Sequence, residues 1–302
     1  KALGIALMAM SACEVVSGNF ISILNSWIVS SGLPWQTGLV SGPLVAIVPL
    51  IGVVCSRTSV RNAEKTEQRR SLVKTLRSAL GLFSIKSFVL ITTVTSLNTF
   101  HIRAFRFWFP TMILTAVTEF PEAFHGLSYT MITTAFTIIK LAGMLIGMPT
   151  FLWFAQSWRH GSGLFSGRGE YLRAFPIVLS AGAALNSFAF AAAFLLVVES
   201  YPAFLVVTFL IGLGSAAGSS LGQQMMLAVV PSSSRASAVA LSRLISGIVS
   251  TPSAQIVGML SDAILGDSTL PEDRFRAYQL ALLCSAVIPV AALIATVALA
   301  FV

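Results

Sequence analysis

Few residues in this sequence could do chemistry, and most of them sit where water is scarce. Glu14, His101, Arg103, Arg106, Lys140 and Arg243 each interrupt a long apolar run. A charged side chain at the centre of a membrane-spanning helix costs about 2.5–3.5 kcal/mol, so as a rule it faces a cavity or a partner. The set is mostly cationic, which suits a phosphate or carboxylate: arginine offers planar paired donors and lysine a point charge. Arg103, Arg106 and Lys140 are therefore candidate substrate-binding residues, with Gln223, beside Gln224, as a hydrogen-bonding neighbour. Glu14 and His101 are candidates for proton coupling or charge pairing, since a carboxyl and an imidazole can each carry a proton through a cycle.

Each of these residues also has a plainer use. Arg103 and Arg106 lie three apart on one helical face and can snorkel to the interface. His101 can pack as a hydrogen-bonded side chain, Glu14 can pair with a cation, and Arg243, about two turns into its helix, can reach the surface. Lys140 stands at mid-span, where a structural ion pair is the alternative to a ligand.

Catalysis is not expected. Ser215, between Gly214 and Gly218, superficially resembles an intramembrane nucleophile, but no histidine follows His160 to serve as its base. No glycine-rich phosphate loop with Lys and Ser is present, which excludes a nucleotide-driven pump of that type. Cys13, Cys55 and Cys284 show no ligand spacing, so neither a metal site nor a disulfide framework is expected, and the three read as packing residues. No cofactor is implied.

The elements that must position these residues are membrane helices. The 302 residues are 56% hydrophobic and 10% charged, with a mean hydropathy of +0.86. That balance is too apolar for a soluble domain, in which about a quarter of residues are charged. The net charge of +8 does not indicate nucleic acid, because the basic residues fall largely in loops between apolar runs. The fold class expected is an all-α polytopic membrane protein of about eight transmembrane helices.

Two apolar runs, from Ala2 to Ile28 and from Trp35 to Val54, precede a basic segment holding Arg57, Arg61, Lys65, Arg69, Arg70, Lys74 and Arg77. Later runs cover Phe83 to Val117, Leu127 to Phe154, Ala174 to Val198, Ala203 to Val230, Arg235 to Leu265 and Phe275 to Val302. Loops alternate between basic and acidic, which fits one orientation with both termini in the cytoplasm. Gly143 with Gly147, and Gly214 with Gly218 and Gly222, recur every four residues and mark close helix packing. The organisation expected is the last two helices of an N-terminal bundle in 1–55, a basic cytoplasmic loop in 56–82, and a six-helix C-terminal bundle in 83–302. Such a count is what a carrier of six plus six helices leaves when its first four are absent, with substrate held at the midplane between the lobes. The chain opens at Lys1 with no cleavable targeting signal visible.

Particular residues narrow the choice of carrier. Val230, Pro231, Arg235, Ala236, Ala238, Ala240, Leu241, Ser242 and Leu244, followed by Pro252, Gly258, Leu260, Ser261 and Asp262, resemble the penultimate helix of the Spinster family of the major facilitator superfamily. Phe275, Arg276, Ala277 and Gln279 resemble that family's entry to its last helix, and further matches are Trp108 with Pro110, Trp35 with Gly38, and the loop from Thr58 to Arg77. Arg243 departs from the pattern, standing where the family usually has histidine. The charged residues of the family's first helices have no counterpart here.

The resemblance implies a major facilitator fold and a transporter of lysophospholipids or sphingoid phosphates, working by alternating access in late endosomal, lysosomal or plasma membranes. Its partner is then a lipid or amphiphilic anion. Two other readings stand beside it: a carrier of a smaller organic anion, and a truncated, non-transporting membrane partner.

Overall fold

A computed structural model describes residues 81–162 and 173–301, all within a compact unit that runs from Ser78 to Val302. Glu14, the two early apolar runs and nearly all of the basic loop lie outside the described residues. Among those described, the secondary structure is entirely helical: α1 Lys86–Glu119, α2 Tyr129–Arg159, α3 Ala174–Leu196, α4 Tyr201–Val229, α5 Arg235–Ser250, α6 Ser253–Leu265, α7 Pro271–Ser285 and α8 Val287–Leu299.

Helix ends follow local chemistry. Pro121 stops α1, because the residue before a proline is pushed out of the helical region, and the chain reverses through Gly126 at φ 72°. Ser128 and Ser200 cap α2 and α4, their hydroxyls accepting from the amides of Met131 and Ala203 at 3.4 Å. Glu272 and Asp273 occupy the first turn of α7, where carboxylates meet the positive end of the helix dipole.

Two of the expected spans are broken, and proline explains both. Arg235 to Leu265 reads as one run but divides at Thr251 and Pro252, since Pro252 has no N–H for the Ile248 carbonyl four residues back. The Thr251 amide fills in, donating to Gly247 O at 3.1 Å and to Ile248 O at 3.3 Å. The last run begins at Pro271 and divides at Ala286, because Pro289 cannot donate to the Ser285 carbonyl.

Side-chain contacts give the directions of α5, α6 and α7 relative to α1. Ser96 meets Ser246 and Trp108 meets Ala254, so α1 runs parallel to α5 and α6. Trp108 stacks on Tyr278 and His101 meets Ser285, so α7 runs antiparallel to α1. Phe105 touches Phe136 and Phe194, which places α2 and α3 against the same stretch of α1. The glycine spacing has its expected use in α2: side chains at Gly143 and Gly147 would collide with Phe209, Leu213 and Ala216, so α2 and α4 approach backbone to backbone. Gly214 accommodates Asn186 of α3, whereas a side chain at Gly222, though that position is buried, would meet nothing within 4 Å among the described residues.

As a result, charge is sorted between the two ends of the bundle. Glu119, Glu122, Glu199, Asp267, Glu272 and Asp273 lie at one end, with Arg274 and Arg276, while Lys86, Arg159, Arg173 and Arg235 lie at the other. The helix pair α5–α6, the pair α7–α8, and α2, α3 and α4 are each long and apolar enough to cross a bilayer. Helix α1 is not in that set, and Thr92, Ser96 and His101 on it are buried against other helices rather than facing lipid. Phe188, Val287 and Ile294 are 70%, 68% and 66% exposed, as befits a lipid-facing surface. The chain is a multi-pass integral membrane protein. Cys284, expected in the packing, is exposed instead.

Candidate functional site

The centre of the bundle is an aromatic column. Phe105 and Phe109 of α1 lie with ring centroids 5.8 and 4.2 Å from Phe136 of α2, and Phe190 and Phe194 of α3 lie 5.0 and 5.9 Å from Phe105. Phe204 of α4 closes it, 5.9 Å from Phe136. Such rings fill the space that several helices leave at their mutual crossing, and their faces carry negative potential.

Lys140 rests on this column. Its ammonium is 5.6 Å from the Phe105 ring centre and 5.9 Å from that of Phe136, and it is half-buried. It lies about 16 Å along α2 from Tyr129, well inside a hydrocarbon core about 30 Å thick. Desolvated cation–π contacts contribute on the order of 1–2 kcal/mol, part of what the charge costs at that depth. The α2 backbone here is fixed by α4, since a side chain at Gly212 would strike the Lys140 carbonyl.

His101 sits on the same side of α1, one turn before Phe105, and is 1% exposed. Its ring meets Phe190 edge-on at 4.4 Å, and Nδ1 is 3.3 Å from Ser285 Oγ. The Ser285 hydroxyl already donates to Leu282 O at 2.6 Å, so its oxygen accepts and the proton belongs on Nδ1 of the imidazole. That leaves Nε2 as the acceptor, buried and without a hydrogen-bond partner among the described residues. An unpaired buried acceptor costs about 1–3 kcal/mol, a strain that taking up a proton-bearing partner would relieve.

Arg103 and Arg106 are turned elsewhere. At 100° per residue Arg103 is about 200° around α1 from His101, and both arginines are exposed. Arg103 Nη1 donates to the Gly247 carbonyl at 3.4 Å, beside the break between α5 and α6. Arg106 lies between the two faces, about 60° from Arg103 and about 100° from Phe105. Thus His101 and Lys140 are brought to one aromatic core, Arg103 goes to a helix break, and Arg106 stands between. Gln223 is half-buried, about 16 Å along α4 from the Gly212 level at which Lys140 sits, so it does not join Lys140. Arg243 is exposed on α5, and Glu14 lies outside the described residues.

Ser285, Gly247 and Phe190 were not singled out by sequence reasoning. The signal for the first was Pro289, which breaks the helix at Ser285, and for the second Pro252, which breaks it beside Gly247. Nothing in the sequence marks Phe190 among so many phenylalanines. No group of His, Cys, Asp or Glu able to hold a metal occurs among the described residues.

No family model and no curated protein matches the sequence. Among solved structures, the chain resembles a bacterial homolog of the human lysosomal transporter Spinster in its inward-facing, unoccupied conformation, with a TM-score of 0.61 and 14% identity over 94% of this chain and 64% of that one. It also resembles a bacterial homolog of the same transporter in an inward-facing, occupied conformation, with a TM-score of 0.54 and 16% identity over 94% and 62% of the two chains. The chain therefore spans less than two thirds of the length of these structures. At such identities the likeness establishes the fold alone, one shared with these transporter structures.

Proposed function

We propose that this chain is part of a secondary transporter of the Spinster type, moving a lysophospholipid or sphingoid phosphate by alternating access across a late endosomal, lysosomal or plasma membrane. The observation that carries the proposal is the Lys140 ammonium set on the Phe105 and Phe136 rings at membrane depth. A phosphate drawn to that depth gains charge-assisted hydrogen bonds that are stronger where water is excluded. Arg106, between the two faces of α1, is the second ligand, and Arg103, about 160° around α1 from Phe105, is a separate contact for the cargo at the helix break. The aromatic and methionine side chains of the bundle suit an acyl chain, which gains about 0.8 kcal/mol for each methylene removed from water.

In this reading no bond is made or broken. Cargo binds at the midplane, the two lobes rock about it, and the site opens to the other side. His101, with its unpartnered Nε2 in the same core, is the candidate for proton coupling. The orientation that places the basic end of the bundle in the cytoplasm follows the rule that lysine and arginine are retained there.

The test is transport of labelled lysophospholipid or sphingoid phosphate by vesicles containing the full-length protein, set against Lys140→Ala. The variant should insert normally and lose transport by about a hundredfold, corresponding to one lost charge-assisted contact. Unchanged transport would remove Lys140 from the site. Transport of a small organic anion but of neither lipid by the parent protein would replace the cargo, and transport of nothing would make the chain a membrane partner.

A further inference from the structure

The broken span α5–α6 is held very differently on its two sides. Beyond Pro252, α6 is fastened: the Trp108 indole donates to Ala254 O at 2.6 Å, and its ring occupies the space that a side chain at Gly258 would need. Before Pro252, α5 meets α1 through Ala238, which shares an apolar cluster with Phe88 and Ile91, and through hydroxyls. Ser96 and Ser246 share one hydrogen bond at 3.1 Å, while among the described residues the buried hydroxyls of Thr92 and Ser242, like that of Ser253 beyond the break, have no partner. The hydroxyl part of this seam adds little hold, because each unpaired hydroxyl regains a hydrogen bond when water enters.

One cation crosses from α1 to the break. Arg103 Nη1 donates to Gly247 O at 3.4 Å, and that carbonyl also accepts from the Thr251 amide at 3.1 Å, the Thr251 hydroxyl at 2.8 Å and the Ser250 hydroxyl at 3.2 Å. The same carbonyl thus serves both the capping of α5 and the grip of α1. A guanidinium held by a shared, neutral acceptor at 3.4 Å will leave it for a phosphate, which offers a full charge and bidentate geometry.

We infer that Arg103 is a latch that couples anion binding to the hinge at Thr251 and Pro252. Bound to Gly247 O it keeps α5 closed against α1. Captured by the head group of the cargo it releases that carbonyl, and α5 swings from the hinge while α6 stays fastened through Trp108. The inference rests on the function proposed above for the choice of anion, but the closed and released states of α5 exist without it.

The experiment uses the full-length protein with its native cysteines, Cys13, Cys55 and Cys284 among them, replaced by serine and with Ser242→Cys introduced, so that thiol labelling reports when α5 parts from α1. Arg103→Ala should label about fivefold faster than the parent without any ligand, the loss of one weak hydrogen bond to a charged group. Lysophosphatidate should raise the parent to that rate, monoacylglycerol should not, and neither should change the variant. Arg103→Lys keeps the charge and should lie between the two, which serves if Arg103→Ala does not insert. Equal labelling of parent and variants without ligand, or equal acceleration of both by lysophosphatidate, would overturn the inference. Fast labelling of the variant, with no binding of labelled lysophosphatidate to the parent, would keep the latch and remove the lipid phosphate as cargo.

Discussion

Trp108 and Gly258 are fitted to each other: the indole of α1 fills the volume of the side chain that α6 lacks, and Trp108 Nε1 then reaches Ala254 O one turn earlier at 2.6 Å. Both residues belong to the stretches that resemble a known carrier family, and the contact gives those matches a physical cause. It also predicts the outcome of substitution. Gly258→Val forces the ring aside and should destabilise the protein in detergent by about 1–3 kcal/mol. Trp108→Phe keeps most of the packing and should lose about 1 kcal/mol with the hydrogen bond. Thermal melting of the two variants, alone and together, checks this; because one ring makes both contacts, the double variant should fall short of the sum.

The glycines of α2 and α4 should separate into two classes. Gly143→Ala drives a methyl group into the Phe209 carbonyl and should destabilise by about 1–3 kcal/mol, whereas Gly222→Ala meets nothing within reach. The latter should be neutral or stabilise by about 0.5–1 kcal/mol, through the helix preference of alanine over glycine. Melting in one detergent distinguishes them. Equal losses at the two positions would contradict the packing of α2 on α4.

For His101 the expected result is a change in coupling rather than in folding. His101→Gln retains a donor toward Ser285 Oγ and similar volume, so insertion and melting should change by less than about 1 kcal/mol. If the imidazole carries the coupling proton, uptake into proteoliposomes should lose its response to an imposed pH gradient. A variant that melts normally and still follows the gradient would confine His101 to packing against Phe190.

Topology offers a check independent of transport. Cysteines placed at Asp267 and at Arg235 should be labelled by an impermeant thiol reagent from opposite sides of the membrane, because α5 and α6 together carry the chain from one end of the bundle to the other. Labelling from the same side would undo the parallel packing of α1 on α5 and, with it, the place given to Arg103.

Among the described residues, the helices and most of their outer boundaries were readable in the order of residues, since hydrocarbon forces backbone polar groups into helices. The end of the broken span at Leu265 and the turn after Glu119 fall where the apolar runs stop. The two breaks fall beside Pro252 and Pro289, but Pro110 and Pro149 lie within unbroken helices, so a proline by itself does not say which helix divides. Helical spacing alone also sets His101 and Arg103 on different sides of α1. Which side becomes the core was another matter, because every face of that helix mixes polar and apolar residues. The choice was made when Phe136, Phe190 and Phe194 closed around Phe105, seating His101 among the rings with Lys140 against them and leaving Arg103 to the Gly247 carbonyl. Contacts between residues far apart in the chain depend on which helices become neighbours, and hydropathy, which records only the avoidance of water, carries no information about that.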